Sequence, residues 1–155
     1  MACGDGGPEE YRTSDVAADV NNFFQAAHEA SLQVEPKPLV ISLHGKRPTI
    51  GEPSVIVSDG TRTAAPEGSL SRKLAGNIAA RGTPTSSCQE PGSSLRLCGT
   101  VSVQGRVSNG ATDACAEGPL TASGRFLHVE QDYDKIGTIA PFLERAVVDL
   151  LTRVP

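Results

Sequence analysis

Residues 39–45 read LVISLHG, an apolar stretch that ends at a histidine and a glycine. A short run such as Leu39–Leu43, with β-branched members, is typical of a strand buried in a sheet. Two similar runs follow, SVIVS at Ser54–Ser58 and FLHVE at Phe126–Glu130. The sequence therefore predicts a sheet whose strands end at polar residues.

Amphipathic helices alternate with these strands. Apolar residues recur at helical spacing from Ser14 to about Leu32, from Ser69 to Arg81, and from about Thr138 to Arg153. Ser14 and Ser69 are suitable N-cap residues for the first two helices. Alternation of strands and helices favours an α/β fold in which helices cover a central sheet.

The remaining segments are irregular in composition. Residues 83–94 are predicted to form a polar loop, Leu95–Val107 one extended segment, and residues 111–123 an irregular stretch. Residues 1–12 are interpreted as a flexible leader, and residues 13–155 as a single α/β domain. Its sheet is expected to be mostly parallel or mixed, with about four to five strands flanked by three helices.

Composition excludes several classes of protein. The length of 155 residues suits one domain. The net charge is −4 and no basic stripe is present, which argues against a nucleic-acid partner. No apolar run reaches the ~18 residues of a membrane span, and the N-terminal MACGDGGPEE lacks the apolar centre of a signal peptide.

The four cysteines contain no CxxC pair, which disfavours zinc-ribbon and thioredoxin-like sites. In an oxidising compartment we expect at least one disulfide in this loop-rich part of the chain. Cys88–Cys98 and Cys98–Cys115 would both close short loops. The pairing, including that of Cys3, is left open.

Polar side chains at the strand ends are the candidates for function. In open α/β sheets, ligands bind beyond the carboxyl ends of the strands. His44 and Asp59 follow the first two strands directly, and His128 and Glu130 close the third. His128 and Glu130 share one face because strand side chains alternate. If the three strands are parallel neighbours, all four residues gather at one edge.

Such a cluster suits a divalent metal and a general base. His44 and His128 are predicted as metal ligands, and Glu130 as the base that removes a proton from metal-bound water. His128 could instead act as an electrophile beside the leaving group. Asp59 and Arg106 are candidate substrate-binding residues, Arg106 for a substrate carboxylate.

Each of these residues also has a purely structural interpretation. Asp59-Gly60 is a common turn pair, and the segment around Arg106, GRVSNG, is compatible with a hairpin turn. His44 could satisfy a turn, His128 could be a sheet histidine bonded to backbone, and Glu130 could be solvated or paired with Arg106 or Arg125. His28 is more simply a packed or surface residue of the first helix.

Three stretches carry a family resemblance: SDVAADVNNFFQAAHEA from Ser14, LVISLHG from Leu39 and GRFLHVEQ from Gly124. Over roughly residues 14–151 the chain resembles the later part of hydrolases related to zinc carboxypeptidases and N-formylglutamate amidohydrolases. The resemblance implies a metal-binding histidine at His44, a catalytic glutamate at Glu130, a sheet with helices on both sides, and zinc-assisted hydrolysis of an amide or peptide bond.

The chain departs from this family at one motif. The HxxE sequence that supplies two further zinc ligands is missing, as is the Asn-Arg pair that grips the substrate. The resemblance therefore implies a truncated form of a longer domain. Together with the cysteines, it favours a secreted or periplasmic bacterial protein.

Three functions remain open. The first is a small zinc-dependent hydrolase that cleaves an amide, peptide or ester bond, with its site completed by other His and Asp residues or by a second subunit. The others are a metal-free hydrolase that uses His128 and Glu130, and a non-catalytic binding or structural remnant. The expected partner is a small-molecule or peptide substrate. An exposed sheet edge would favour a homo-oligomer.

Overall fold

The computed structural model describes residues 17, 19–34, 38–119 and 121–152. These residues form one α/β domain with a four-stranded sheet. In chain order its elements are α1 (Phe23–Val34), β1 (Val40–Lys46), β2 (Val55–Ser58), α2 (Leu70–Ala79), β3 (Thr85–Ser87), α3 (Val103–Ser108), β4 (Phe126–Asp132) and α4 (Ile136–Thr152), with a short 3-10 turn at Tyr133–Lys135.

The sheet is mixed, with strand order β1-β4-β2-β3. β4 is parallel to β1 and antiparallel to β2, and β3 is parallel to β2. The predicted α/β fold with a mixed sheet of about four strands is confirmed, but the condition under which all four candidate residues would gather at one edge, three parallel neighbouring strands, is not met, because β2 is antiparallel to β4. Residues 47–54 form too short a connection to return the chain to the far end of the sheet, so β2 runs back from the point where β1 ends.

One face of the sheet carries the apolar core. Val55 and Val57 of β2 and Leu127 and Val129 of β4 are fully or almost fully buried there. They pack against the inward faces of α2 and α4. The helical members of this core are Leu74, Ala75, Ile78, Ile139, Leu143, Ala146 and Leu150. Burial of this apolar surface is the main source of stability for the domain.

The opposite face of the sheet is mostly polar. Along β4 it carries Phe126, His128, Glu130 and Asp132, which stand in register with Val40, Ser42, His44 and Lys46 of β1. Helix α3 and the Cys88–Cys98 disulfide cover part of this face. α3 packs on Phe126 so closely that a Cβ at Gly105 would lie 2.8 Å from the ring. The Cys88–Cys98 disulfide packs on Ile56 of β2.

Two predicted segments differ from the structure. Leu95–Val107 is not extended: after an irregular stretch it enters α3, where the Ser102 side chain accepts a hydrogen bond from the Gly105 backbone at 3.3 Å and caps the helix. The predicted loop 83–94 contains the short strand β3. With α3 included, the described part of the chain has four α-helices, where three were predicted.

The first helix begins later than predicted. Residues 17 and 19–22 are not helical, and α1 starts at Phe23, because Asn22 accepts a hydrogen bond from the Gln25 backbone at 2.8 Å and so acts as the N-cap. Ser14, the predicted cap, and the leader 1–12 lie outside the described residues. The second and last helices are confirmed to within two residues of their predicted starts.

The prediction of at least one disulfide is confirmed. Cys88 and Cys98 are joined, and Cys115 is also disulfide-bonded. These bonds are consistent with an oxidising compartment. Within the described residues, no helix combines the length and apolar character that a membrane crossing requires.

Candidate active site

Four side chains on the polar face form a continuous row across β1 and β4. Ser42 is in register with His128, and His44 with Glu130. Because side chains alternate along a strand, residues two apart share a face, and all four point away from the apolar core. We call Ser42, His44, His128 and Glu130 the polar row.

Hydrogen bonds and one ring contact connect the polar row. Ser42 Oγ and His44 Nε2 share a hydrogen bond of 2.7 Å. The rings of His44 and His128 have centroids 4.5 Å apart and are tilted by 32°. His128 Nε2 lies 3.0 Å from Glu130 Oε1. An ionised carboxylate only accepts hydrogen bonds, so this contact places a proton on Nε2 of His128.

Exposure falls along the polar row. Ser42 and His44 are half-buried, whereas His128 is 4% exposed and Glu130 is 9% exposed. A molecule arriving from solvent therefore meets Ser42 and His44 first. The carboxylate of Glu130 contacts His128 and not the guanidinium of Arg106 or Arg125, and 12% of the Glu130 side chain is exposed.

Gly99 packs directly against the buried imidazole of His128. A Cβ at Gly99 would lie 2.6 Å from Cγ of His128 and 2.9 Å from its Nδ1. Nδ1 of His128 is buried and has no hydrogen-bond partner. Gly99 has a positive φ of 66° and directly follows Cys98 of the disulfide. The disulfide loop therefore holds the backbone against the buried imidazole.

A cleft of about 610 Å³ lies between α1 and β1. Ser42 and His44 open into it, and so does His28 of α1. No Asp, Glu, Lys or Arg side chain is among the described residues that line it. The described residues that line it are Ala17, Phe24, Ala27, His28, Ser31, Leu39, Val40, Ile41, Ser42, Leu43, His44 and Gln104.

His28 is a buried histidine of this cleft. Only 5% of the residue is exposed, and its Nε2 shares a hydrogen bond of 3.1 Å with Ser108 Oγ. Burial lowers the pKa of His28, and the smaller opposing effects of the Glu29 charge and the Gln104 backbone do not reverse this. The imidazole is therefore neutral at pH 7, and its buried Nδ1 has no hydrogen-bond partner.

Two predicted site residues do not join the polar row. Because β2 is antiparallel to β4, Asp59 lies at the end of the sheet opposite the carboxyl ends of β1 and β4. Its Oδ1 accepts hydrogen bonds from the backbone and hydroxyl of Thr61, at 2.9 and 2.7 Å, and so forms the turn after β2. Arg106 donates to the backbone carbonyls of Thr100 and Ala114, at 3.0 and 2.9 Å.

The three residues predicted for metal chemistry do come together, since His44, His128 and Glu130 all belong to the polar row. As they stand, their donor atoms do not fit a metal site. Nε2 of His44 and Nε2 of His128 are engaged by Ser42 and Glu130. Among the described residues, no group of three or more His, Cys, Asp or Glu side chains is arranged to hold a metal ion.

Ser42 and Gly99 are the members of the site that the sequence interpretation missed. The signal for Ser42 is its position two residues before His44 within a predicted strand, which places both side chains on one face. Nothing local in the sequence points to Gly99, because its contact with His128 joins segments that are distant along the chain.

A scan against protein-family models, a search of curated proteins and a search of solved structures found no match to this chain. The similarity to carboxypeptidase-like hydrolases therefore stays a prediction. The polar row and the cleft beside it are the features that bear on function.

Proposed function

We propose that this chain is a hydrolase of amide, peptide or ester bonds and that the polar row is its active site. The observation that carries the proposal is the 2.7 Å hydrogen bond between Ser42 Oγ and His44 Nε2 at the wall of the cleft. A hydroxyl within hydrogen-bond reach of an imidazole is the pairing of nucleophile and general base. Both side chains are half-buried, so a substrate in the cleft can reach them.

In this mechanism His44 accepts the Ser42 proton at Nε2 while Oγ attacks the carbonyl carbon of the substrate. His44 then returns that proton to the leaving nitrogen or oxygen, the bond to the leaving group breaks, and an acyl-serine remains. A water molecule attacks the acyl group and gives its proton to His44. The carboxylic acid leaves, and the Ser42 hydroxyl is restored.

His128 and Glu130 act behind this pair as positioning residues. The His128 ring contacts the His44 ring, and Glu130 fixes the orientation of His128 through the 3.0 Å hydrogen bond. A carboxylate at this place also stabilises the positive charge that develops on the imidazoles during proton transfer. At 9% exposure and engaged with His128, Glu130 is better placed for this role than for direct contact with a water in the cleft.

Metal-dependent hydrolysis is the second candidate, and it is the chemistry that the carboxypeptidase-like resemblance implies. The observation that favours it is the adjacency of two imidazoles, with centroids 4.5 Å apart, beside a carboxylate. His44 and His128 are ligands that zinc accepts. Both would first have to give up their hydrogen bonds to Ser42 and Glu130.

The proposal also covers the location of the protein and its descent. The disulfides support a location in an oxidising compartment, such as the exterior or the periplasm. Common descent with carboxypeptidase-like hydrolases is proposed on the stretches LVISLHG and GRFLHVEQ, which form β1 and β4 of the structure.

The test is hydrolysis of p-nitrophenyl acyl esters and N-acyl anilides by the chain and by Ser42→Ala. We expect a burst of p-nitrophenol, labelling of Ser42 by a fluorophosphonate, and loss of both in Ser42→Ala. Ser31→Ala is the matched control, because Ser31 lines the same cleft but bonds to the His28 carbonyl. That variant should keep its activity.

Metal content separates the candidates. Turnover that survives Ser42→Ala but disappears with a chelator, together with about one zinc per chain that is lost in His44→Ala, would support the metal-dependent enzyme. A folded chain with neither turnover nor metal would support the non-catalytic remnant.

A further inference from the structure

The cleft runs along the edge of β1 and not across one of its faces. Its lining includes six consecutive residues, 39–44, five of which belong to β1. Successive side chains of a strand point to opposite faces, so a surface that touches all of them follows the strand edge. Within the described part of the chain, β4 is the one strand that pairs with β1.

The opposite wall of the cleft is one face of α1. Phe24, Ala27, His28 and Ser31 line it, at the spacing i, i+3, i+4, i+7 that marks a single side of a helix. The cleft is therefore a groove between a helix and the outer edge of a strand. Residues 39–44 extend over roughly 17 Å at about 3.3 Å per residue.

The chemistry of the groove suits a peptide backbone. The outer edge of a strand presents N–H and C=O groups in alternation, and they pair with a chain that offers the same groups at the same repeat. Apolar side chains from both walls would contact alternate side chains of that chain. The described lining has no charged Asp, Glu, Lys or Arg, which fits an uncharged segment.

His28 adds a second, independent feature. Its Nδ1 is buried and unpartnered in the wall of the groove, and the ring is neutral at pH 7. The tautomer of the ring decides whether Nδ1 accepts or donates a hydrogen bond, and the contact with Ser108 Oγ is compatible with both. A peptide backbone offers both N–H and C=O groups, so it can satisfy Nδ1 in either tautomer.

We propose that the groove binds an extended, uncharged peptide segment, which adds to the sheet as a fifth strand beside β1 and presents a peptide carbonyl to Ser42. The placement of the cleaved bond rests on the proposed function, whereas the binding mode does not. A peptide, and not a compact ester or amide, is then the natural substrate. About five residues would be held, given the length of the lined edge.

The experiment measures binding separately from cleavage. Ser42→Ala, labelled with ¹⁵N, is titrated with a panel of N-acetylated, C-amidated hexapeptides in which apolar and polar residues alternate. We expect hydrogen exchange of the amides in residues 39–43 to slow when a peptide binds. Methylation of alternate peptide nitrogens should weaken affinity at least tenfold, and methylation of the intervening nitrogens should change it less than threefold.

A pair of helix variants checks the location. Ala27→Phe places a ring in the groove, whereas Ala30→Phe adds the same ring at another exposed position of α1 outside the lining. Ala27→Phe should lower affinity at least tenfold, and Ala30→Phe should leave it unchanged. Equal effects of the two variants would overturn the proposed site.

The remaining outcomes also decide the question. No binding by the panel up to about 1 mM would overturn the proposal. A chain that sediments as a dimer, with slow exchange of residues 39–43 in the absence of peptide, would assign the edge to a second copy of the chain. If esters are hydrolysed through Ser42 but no peptide binds, the proposed function survives and this inference fails. If peptides bind along β1 without any turnover, this inference survives and the proposed function fails.

Discussion

Gly99 and His128 fit together so closely that no side chain can be placed between them. A Cβ at position 99 would lie 2.6 Å from the imidazole Cγ, and the positive φ of 66° also disfavours any residue with a side chain there. The orientation of His128 is therefore set on one side by Glu130 and on the other by backbone. This contact makes the loop after the disulfide a part of the candidate active site.

Gly99→Ala should disturb the polar row as well as the backbone. We expect at least a tenfold loss of kcat and a melting temperature below that of the matched variant Gly92→Ala. Gly92 has a similar φ of 76° but nothing within 4 Å of a Cβ, so it reports the backbone strain of about 1 kcal/mol alone. Equal kcat values in the two variants would remove Gly99 from the site.

The variant Glu130→Gln tests the positioning role proposed for the Glu130 carboxylate. Glutamine keeps the shape of the side chain but removes the charge that stabilises the imidazoles, so we expect kcat to fall by about 10² with KM and folding unchanged. If Glu130 acts through His128, the effects of Glu130→Gln and His128→Ala on kcat are not additive. Additive losses, or a full kcat in Glu130→Gln, would contradict the positioning role.

Removal of the Cys88–Cys98 disulfide should affect both stability and activity. The bond closes a short loop, for which the loss is about 2–3 kcal/mol of unfolding free energy. The double variant Cys88→Ala, Cys98→Ala is preferable to a reductant, because Cys115 is also disulfide-bonded. Urea unfolding measures the loss of unfolding free energy. Since Gly99 follows Cys98, we expect lower kcat even where the variant is fully folded.

The buried ion pair of Lys46 and Asp132 should make stability depend on acid pH. Its atoms lie 2.8 Å apart, and both side chains are at most 5% exposed. Burial raises the pKa of Asp132, but hydrogen bonds from Lys46, Ser54 and Lys135 and the charge of Lys46 together outweigh it, so the pKa is lowered.

A lowered carboxylate pKa in the folded state stabilises the fold above the unfolded value of about 3.9, and this contribution is lost as the pH falls through the lowered pKa. We therefore expect the contribution of Asp132 to be constant from pH 7 to about 5 and to decline below about 4. Asp132→Asn should remove that part of the slope and cost about 3 kcal/mol at pH 7, since Lys46 stays buried and its remaining ion pair, with Glu52, is longer at 3.9 Å. The exposed Asp134→Asn is the control, and urea titrations between pH 2 and 7 measure both.

Much of this arrangement could be predicted from local sequence. The runs at 39–43 and 126–130 are strands, and alternation alone placed His128 and Glu130 on one face. The direction of β2 could not be predicted, because SVIVS carries no information on orientation, and Asp59 was misplaced for that reason. The six residues of α3 are too few to show helical periodicity, so the segment around Arg106 was interpreted as extended.

Along β4, residues of the apolar core alternate with residues of the polar row. Leu127 and Val129 belong to the apolar core, while His128 and Glu130 belong to the polar row. Substitutions at Leu127 and Val129 should thus change folding, whereas substitutions at His128 and Glu130 should change the proposed chemistry, so the two properties can diverge independently as the gene mutates. An in-frame insertion or deletion of one codon within FLHVEQD would exchange the two sets and abolish both at once.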